Sequence, residues 1–137
     1  VFHAHDGAGL KLARAAGLRT GVITGRDSAA TTRRAREVGI DFVSQNRAQK
    51  LPAYEQILGE ARVRDAEVAY IGDDLPDLPV LERVGLAIAV DNAAPEVKRA
   101  AHFVTRRRGG EGAVREAIEA ILRAQGSWHD VIGKARA

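Results

Sequence analysis

Apolar residues along this chain occur in short continuous runs separated by longer segments with helical spacing. The runs predict strands at 18–23, 40–43, 67–71, 86–90 and 102–104. The segments between and around them predict helices at 6–16, 28–39, 52–61, 78–84, 95–101 and 112–124. Continuously apolar strands that alternate with helices are typical of a parallel sheet covered on both faces. The pattern therefore predicts a doubly wound α/β fold over residues 1–125, with 126–137 as a C-terminal tail.

The composition limits the classes of protein. With 137 residues, 45% apolar and 28% charged, the chain has the length and balance of one globular domain. It contains no cysteine, which excludes a disulfide scaffold and thiolate metal sites. No window is long and apolar enough for a membrane span, and residues 1–10 do not resemble a signal peptide. We expect a cytoplasmic protein. Because methionine is absent, we also expect the native N-terminus to lie upstream.

Basic residues slightly outnumber acidic ones, for a net charge of +3. They are mostly interspersed, apart from Arg106-Arg107-Arg108 and a group on the predicted helix 28–39. Surfaces that bind nucleic acid commonly combine longer basic stripes with aromatic side chains, which make up only 4% here. The pattern favours a solvated basic face or a local phosphate contact.

Three carboxylates follow the predicted strand 67–71 within the sequence Gly72-Asp73-Asp74-Leu75-Pro76-Asp77. Acids this close repel one another unless a cation lies among them, and the carboxyl ends of such strands commonly hold ligands. The sequence predicts a Mg²⁺ site with Asp73 as the first ligand and Asp74 sharing the metal or its waters. Asp77 is expected behind them, orienting a base or a lysine. The alternative is that Asp74 and Asp77 cap the next helix.

Two further elements fit a phosphate site. Thr24 and Gly25 can offer a hydroxyl and backbone N–H groups to a phosphate oxygen, and Arg26 can add a bidentate contact. Lys50 precedes a predicted helix in a polar loop. The alternatives are that Gly25 simply makes a turn and that Lys50 is a surface residue.

The order of hydroxyl, lysine and acid cluster resembles the haloacid dehalogenase superfamily of phosphatases. The narrower match is to its capless family of 3-deoxy-D-manno-octulosonate 8-phosphate phosphatases, and it extends over essentially the whole chain. The matching segments are Asp6-Gly7-Ala8-Gly9-Leu10, Ile23-Thr24-Gly25-Arg26, Gln45 with Lys50-Leu51, Ala69 to Asp77, Val84-Gly85-Leu86, Ala100, Val104-Thr105, Gly109-Gly110, Gly112 to Glu116 and Ala124-Gln125-Gly126.

This resemblance implies a Mg²⁺-dependent phosphatase of lipopolysaccharide precursor synthesis that forms a homotetramer with active sites between subunits. It implies that Thr24 binds the transferring phosphoryl group, Lys50 neutralises that group and the nucleophile, and Asp73 holds Mg²⁺ with Asp74 nearby. An aspartate would attack phosphorus, and the aspartyl-phosphate would then be hydrolysed.

The sequence departs from the family pattern in two places. It contains no Asp-x-Asp motif. In the family this motif supplies the nucleophile, and its strand lies between the strand that leads to Thr24 and the strand that contains Tyr70. His5 stands where the family usually has arginine, so it is either an anion contact or a loop or capping residue. The glycines between Gly109 and Gly112 either bring backbone N–H groups to a neighbour's substrate or only give the loop flexibility.

Three other functions remain open from the sequence. Two are enzymatic: a phosphatase for sialic acid 9-phosphate, and the phosphatase-like part of a cytidylyltransferase fusion. The third is a non-catalytic regulatory module without a nucleophile. A panel of sugar-acid phosphates and the presence or absence of an Asp-x-Asp segment distinguish them.

Overall fold

The computed structural model describes residues 4–25, 29–45, 49–126 and 128. The helices of this part are α1 (Ala4–Ala15), α2 (Ala29–Val38), α3 (Lys50–Ala61), α4 (Leu78–Leu81), α5 (Pro95–Ala100) and α6 (Ala113–Ala124). The strands are β1 (Gly21–Ile23), β2 (Phe42–Ser44), β3 (Ala69–Gly72), β4 (Leu86–Ala89) and β5 (Phe103–Val104). Every predicted strand and helix has a counterpart, so the predicted α/β class is confirmed.

All the strand pairs are parallel, but the strands form two sheets. β1 pairs with β2, where Gly21 lies opposite Phe42. β4 lies between β3 and β5, with Ile71 of β3 opposite Ile88. Within the described ranges no ladder joins β1 to β3. The prediction of parallel strands is thus confirmed, while the arrangement differs from one continuous sheet.

A cleft of about 630 Å³ is lined by residues of both β1 and β3. Apolar side chains from the strands and from the helices around them contribute much of its wall, among them Ile23, Leu58, Val68 and Ile118. Neighbouring strands of one sheet lie only about 4.7–4.9 Å apart. Among the described residues, backbone groups that face this cleft therefore have no strand to pair with. The two sheets separate where the family resemblance predicts a further strand.

The cleft leads to a prediction about these 137 residues expressed by themselves. They should unfold over a broad temperature range and bind a hydrophobic dye, because in the described part of the chain no strand covers the apolar walls of the cleft or the edges of β1 and β3. Each buried unpaired backbone group costs about 1–3 kcal/mol, against a typical total stability of roughly 5–15 kcal/mol. Calorimetry and dye fluorescence measure both properties. A sharp cooperative transition without dye binding would contradict the prediction.

Two apolar clusters hold the described part together. The larger surrounds β4 and α4 and includes the fully buried Val80 and Ala87. The smaller joins α1 to α6 through Ala13 and Leu122, and Trp128 packs against it. Apart from Gly126 and Trp128, the predicted tail lies outside the described residues, so that boundary stays a prediction. None of the helices in the described ranges combines the length and apolarity that crossing a membrane requires.

Candidate active site

The acid cluster lies directly after β3. Asp73 and Asp74 are exposed, and a single 3₁₀ turn, Leu75–Asp77, follows them. The Asp74 carboxylate accepts the N–H of Leu75 at 2.8 Å, and the Asp77 carboxylate accepts the N–H of Asp74 at 3.2 Å. The capping arrangement given above as the alternative to metal binding is therefore present. It leaves the carboxylates of both Asp73 and Asp74 exposed at the strand end, so capping and cation binding are compatible.

The Asp77 carboxylate is buried and accepts four hydrogen bonds. Its side chain is 2% exposed. One carboxylate oxygen accepts from Lys50 Nζ at 2.8 Å and from the Tyr70 hydroxyl at 2.7 Å. The other accepts the backbone N–H groups of Asp73 at 2.9 Å and Asp74 at 3.2 Å. Lys50 begins α3, so this carboxylate joins α3 to the end of β3. Asp77 therefore does more than cap a turn.

The charges of this cluster are set by burial and by these contacts. Burial would by itself raise the pKa of Asp77, but the hydrogen bonds from Lys50 and Tyr70 hold that pKa below its ordinary value. Asp77 is consequently a carboxylate paired with the Lys50 ammonium. Although the Asp73 side chain is exposed, the protein around it takes some water from its carboxyl group. This desolvation, followed by the hydrogen bond and the negative charge of Asp77, raises the pKa of Asp73. A cation next to Asp73 would favour its ionised form and so offset this rise in pKa.

Glycine at position 72 is required by the approach of Asp77. A Cβ built there would lie 2.7 Å from Asp77 Cβ and 3.0 Å from Leu81 Cδ1. We expect Gly72→Ala to lower the free energy of unfolding by about 1–3 kcal/mol, because the turn must shift to relieve this overlap. Denaturant titration measures the change.

Gly59 is a matched control for that substitution. It lies within α3, and outside the backbone of that helix no heavy atom lies within 4 Å of the place a Cβ would take, so alanine meets no obstacle there. Gly59→Ala should raise the free energy of unfolding by roughly 0.5–1 kcal/mol through helix propensity. Equal effects of the two substitutions would show that Asp77 does not need the space at position 72.

The predicted phosphate-binding residues are described in part. Thr24 follows β1 and continues its pairing, since its N–H donates to the Ser44 carbonyl at 2.9 Å. Gly25 comes next and is exposed. Arg26 lies outside the described residues. Lys50 is 18% exposed and ion-paired, which does not fit the alternative of a fully solvated surface lysine.

Hydrogen bonds from backbone N–H groups to side chains hold the loop that leads to α6. The N–H of Gly109 donates to Asn92 Oδ1 at 2.7 Å, and Glu116 accepts the N–H groups of Arg106 and Arg107. The Gly109 N–H is thus already engaged within the chain. His5 lies in α1. The structure does not describe its side chain, so its role stays a prediction.

Sequence reasoning missed one contributor, Tyr70. It stands in the apolar run that forms β3, so its pattern indicates only a strand residue. The available signal was chemical: a partly buried tyrosine hydroxyl generally finds a hydrogen-bond partner, and this one is close in sequence to three acids. Among the residues that the structure describes, no three His, Cys, Asp or Glu side chains form a metal cluster by themselves.

Comparison with known proteins places this arrangement in a family. Residues 27–118 match the haloacid dehalogenase-like hydrolases. A 3-deoxy-D-manno-octulosonate 8-phosphate phosphatase from Yersinia pestis is 40% identical over 133 residues, which cover 97% of this chain and 71% of that protein.

Solved structures agree with the sequence match. A probable YrbI-family phosphatase from Pseudomonas syringae superposes with a TM-score of 0.96 at 45% identity, covering 100% of this chain and 78% of the other. A 3-deoxy-D-manno-octulosonate 8-phosphate phosphatase from Moraxella catarrhalis, in complex with magnesium, phosphate and 3-deoxy-D-manno-octulosonate (KDO), gives 0.94 at 37% identity, covering 98% and 77%.

The chain belongs to the haloacid dehalogenase-like hydrolases. The parallel strands, the acids after β3 and the lysine that pairs with the third acid agree with this class. Within it, the chain is a member of the family of the 3-deoxy-D-manno-octulosonate 8-phosphate phosphatases, as the resemblance indicated.

Proposed function

We propose that this protein is a Mg²⁺-dependent phosphatase that hydrolyses 3-deoxy-D-manno-octulosonate 8-phosphate to the free sugar acid and phosphate. The observation that carries the proposal is the group at the end of β3, where a buried Asp77 pairs with Lys50 at 2.8 Å behind two exposed carboxylates. The substrate is taken from the relatives, since the Yersinia pestis protein of that name is 40% identical to this chain.

Asp73 and Asp74 fit a magnesium ion by the chemistry of their donor atoms. Mg²⁺ prefers carboxylate oxygens, and it is commonly held by one or two carboxylates together with substrate phosphates and waters. A site without a third protein acid is therefore sufficient. The bound ion would supply positive charge next to the phosphoryl oxygens, which lowers the barrier to attack on phosphorus.

Lys50 supplies the second positive charge. One N–H of its ammonium is directed to Asp77, and an ammonium has three N–H donors, so two are available to a phosphoryl oxygen. Because Asp77 fixes the end of a long flexible side chain, less entropy is lost when the substrate binds. Thr24 with Gly25 and Arg26 complete the proposed phosphate contacts from the end of β1.

The proposed reaction has two displacements at phosphorus. A carboxylate oxygen of one aspartate attacks phosphorus and the bond from phosphorus to the sugar oxygen breaks, forming an aspartyl-phosphate. The leaving sugar oxygen becomes a hydroxyl by taking a proton from a second aspartate that acts as general acid. Water then attacks the same phosphorus and gives a proton back to the second aspartate, which releases phosphate and restores the first carboxylate. The sequence contains no Asp-x-Asp motif, so we assign both aspartates to polypeptide outside the 137 residues. We call these residues together with the polypeptide that carries the motif the full-length enzyme.

The biological setting is proposed from the same relatives. The reaction would supply a free sugar acid for lipopolysaccharide precursor synthesis in the cytoplasm. The enzyme would act as a homotetramer with active sites between subunits.

A substrate panel tests the proposal. The full-length enzyme is assayed for phosphate release from 3-deoxy-D-manno-octulosonate 8-phosphate, sialic acid 9-phosphate and simple hexose phosphates, with Mg²⁺ and with chelator. We expect the highest kcat/KM for the first substrate and no turnover after chelation. Preference for the nine-carbon substrate would reassign the specificity. Absence of turnover with every compound would favour a non-catalytic module.

A further inference from the structure

The Asp77 carboxylate has one hydrogen-bond donor that neither the turn nor the Lys50 ion pair requires. The backbone N–H groups of Asp73 and Asp74 reach one oxygen of Asp77 because of the 3₁₀ turn. The other oxygen already has the Lys50 ammonium at 2.8 Å. The Tyr70 hydroxyl adds a bond of 2.7 Å to that same oxygen.

We propose that Tyr70 is a positioning residue that sets the orientation of the Lys50 ammonium through the Asp77 oxygen they share. This inference rests on the proposed phosphatase function. Tyr70 lies in β3, and a tyrosine ring has only two side-chain torsions, so its hydroxyl is a well-fixed donor. Lys50, in contrast, reaches Asp77 through a flexible four-carbon stem.

The shared oxygen explains how the hydroxyl acts on the lysine. A donor at the second lone pair withdraws negative charge from that oxygen and limits the positions from which the ammonium can bind it. Without the hydroxyl, Lys50 becomes the only donor on the oxygen and can move to a closer, more symmetric contact with the carboxylate. Its remaining N–H groups would then be directed away from the incoming phosphoryl group.

The Tyr70 hydroxyl remains a donor throughout the working pH range. Burial, together with the negative charge of Asp77 and the hydrogen bond to it, raises the pKa of Tyr70 well above its ordinary value. The hydroxyl therefore keeps its proton near neutral pH. A phenylalanine would fill the same space in β3, so packing alone does not call for the hydroxyl at this position.

The chain contains a matched control for this bond. Tyr54 is the other of its two tyrosines, and its hydroxyl donates to the Asp65 carboxylate at 2.7 Å. Asp65 also forms a salt bridge with Arg83 at 3.3 Å. Both tyrosines thus donate equally short bonds to a carboxylate that is paired with a basic residue. The Tyr54 group contains neither Lys50 nor the acids after β3, so its loss should affect stability alone.

The test combines each tyrosine substitution with removal of the lysine in the full-length enzyme. Tyr70→Phe and Tyr54→Phe are made alone and with Lys50→Ala, and kcat, KM and the melting temperature are measured for each. We expect Tyr70→Phe to lower kcat by about tenfold while KM changes by less than about twofold, as for other residues that orient an active group. In the Lys50→Ala background, Tyr70→Phe should cause no further loss.

The two controls separate positioning from structure. Tyr54→Phe should lower the melting temperature and leave kcat unchanged. Tyr70→4-aminophenylalanine, which retains an N–H donor at the ring end, should keep most of the wild-type kcat; this variant also serves if Tyr70→Phe does not fold. An unchanged kcat in Tyr70→Phe, an equal loss in the Lys50→Ala background, or a tenfold loss in the amino variant would overturn the inference. An inactive wild-type enzyme would instead overturn the proposed function.

Discussion

Asp73→Asn should remove the Mg²⁺-dependent turnover of the full-length enzyme. Asp73 is the first exposed carboxylate after β3, and a neutral amide is a much poorer ligand for a hard dication than a carboxylate. Changes in the groups that merely orient a metal ligand commonly cost about 10- to 100-fold, and loss of a direct ligand should exceed that. Steady-state phosphate release over a Mg²⁺ titration measures the effect.

Asp41→Asn is the control for this substitution. Asp41 is also exposed, but it lies at the amino end of β2, where its carboxylate accepts the N–H of Thr20 at 2.9 Å. An amide oxygen can accept the same bond, so turnover should stay at the wild-type level. Normal turnover of Asp73→Asn at ordinary Mg²⁺ concentrations would show that Asp73 is not a metal ligand, whether or not Asp41→Asn also keeps its turnover.

The order and type of the elements could be read from the sequence because each strand is a short apolar run and each helix has its own periodicity. The strand bounds could not be read in the same way. The first strand is predicted from Leu18, but it begins at Gly21, because the N–H of Leu18 returns to the Ala13 carbonyl and ends α1. The third is predicted from Glu67, which instead accepts the N–H of Arg64 and closes a 3₁₀ turn. Such local capping bonds compete with the ladder and leave little trace in hydrophobicity.

The acid cluster was predictable as a group, but the separate roles of its members were not. Spacing indicates that three acids are close together, whereas their directions depend on a turn that buries Asp77 and exposes Asp73 and Asp74. The contact of Lys50 with Asp77 joins residues 27 positions apart, and no periodicity encodes it. Chain order and family resemblance were therefore the only sequence signals for Lys50.

Lys50→Ala should lower kcat of the full-length enzyme by roughly 100- to 1,000-fold, the range typical for loss of a group that stabilises transition-state charge. The same substitution leaves the buried Asp77 without its cation, so it should also lower stability. Activity must therefore be measured well below the melting temperature of each variant, with the folded fraction determined in parallel.

Lys50→Gln separates the two effects of losing the lysine. Glutamine retains an N–H donor for Asp77 but carries no charge, so it should recover part of the lost stability and none of the lost turnover. Lys11→Ala, at an exposed position of α1, should change neither property. If Lys50→Gln retained the wild-type kcat, the role of Lys50 would be to satisfy Asp77, and the charge opposite the phosphoryl group would have to come from other residues.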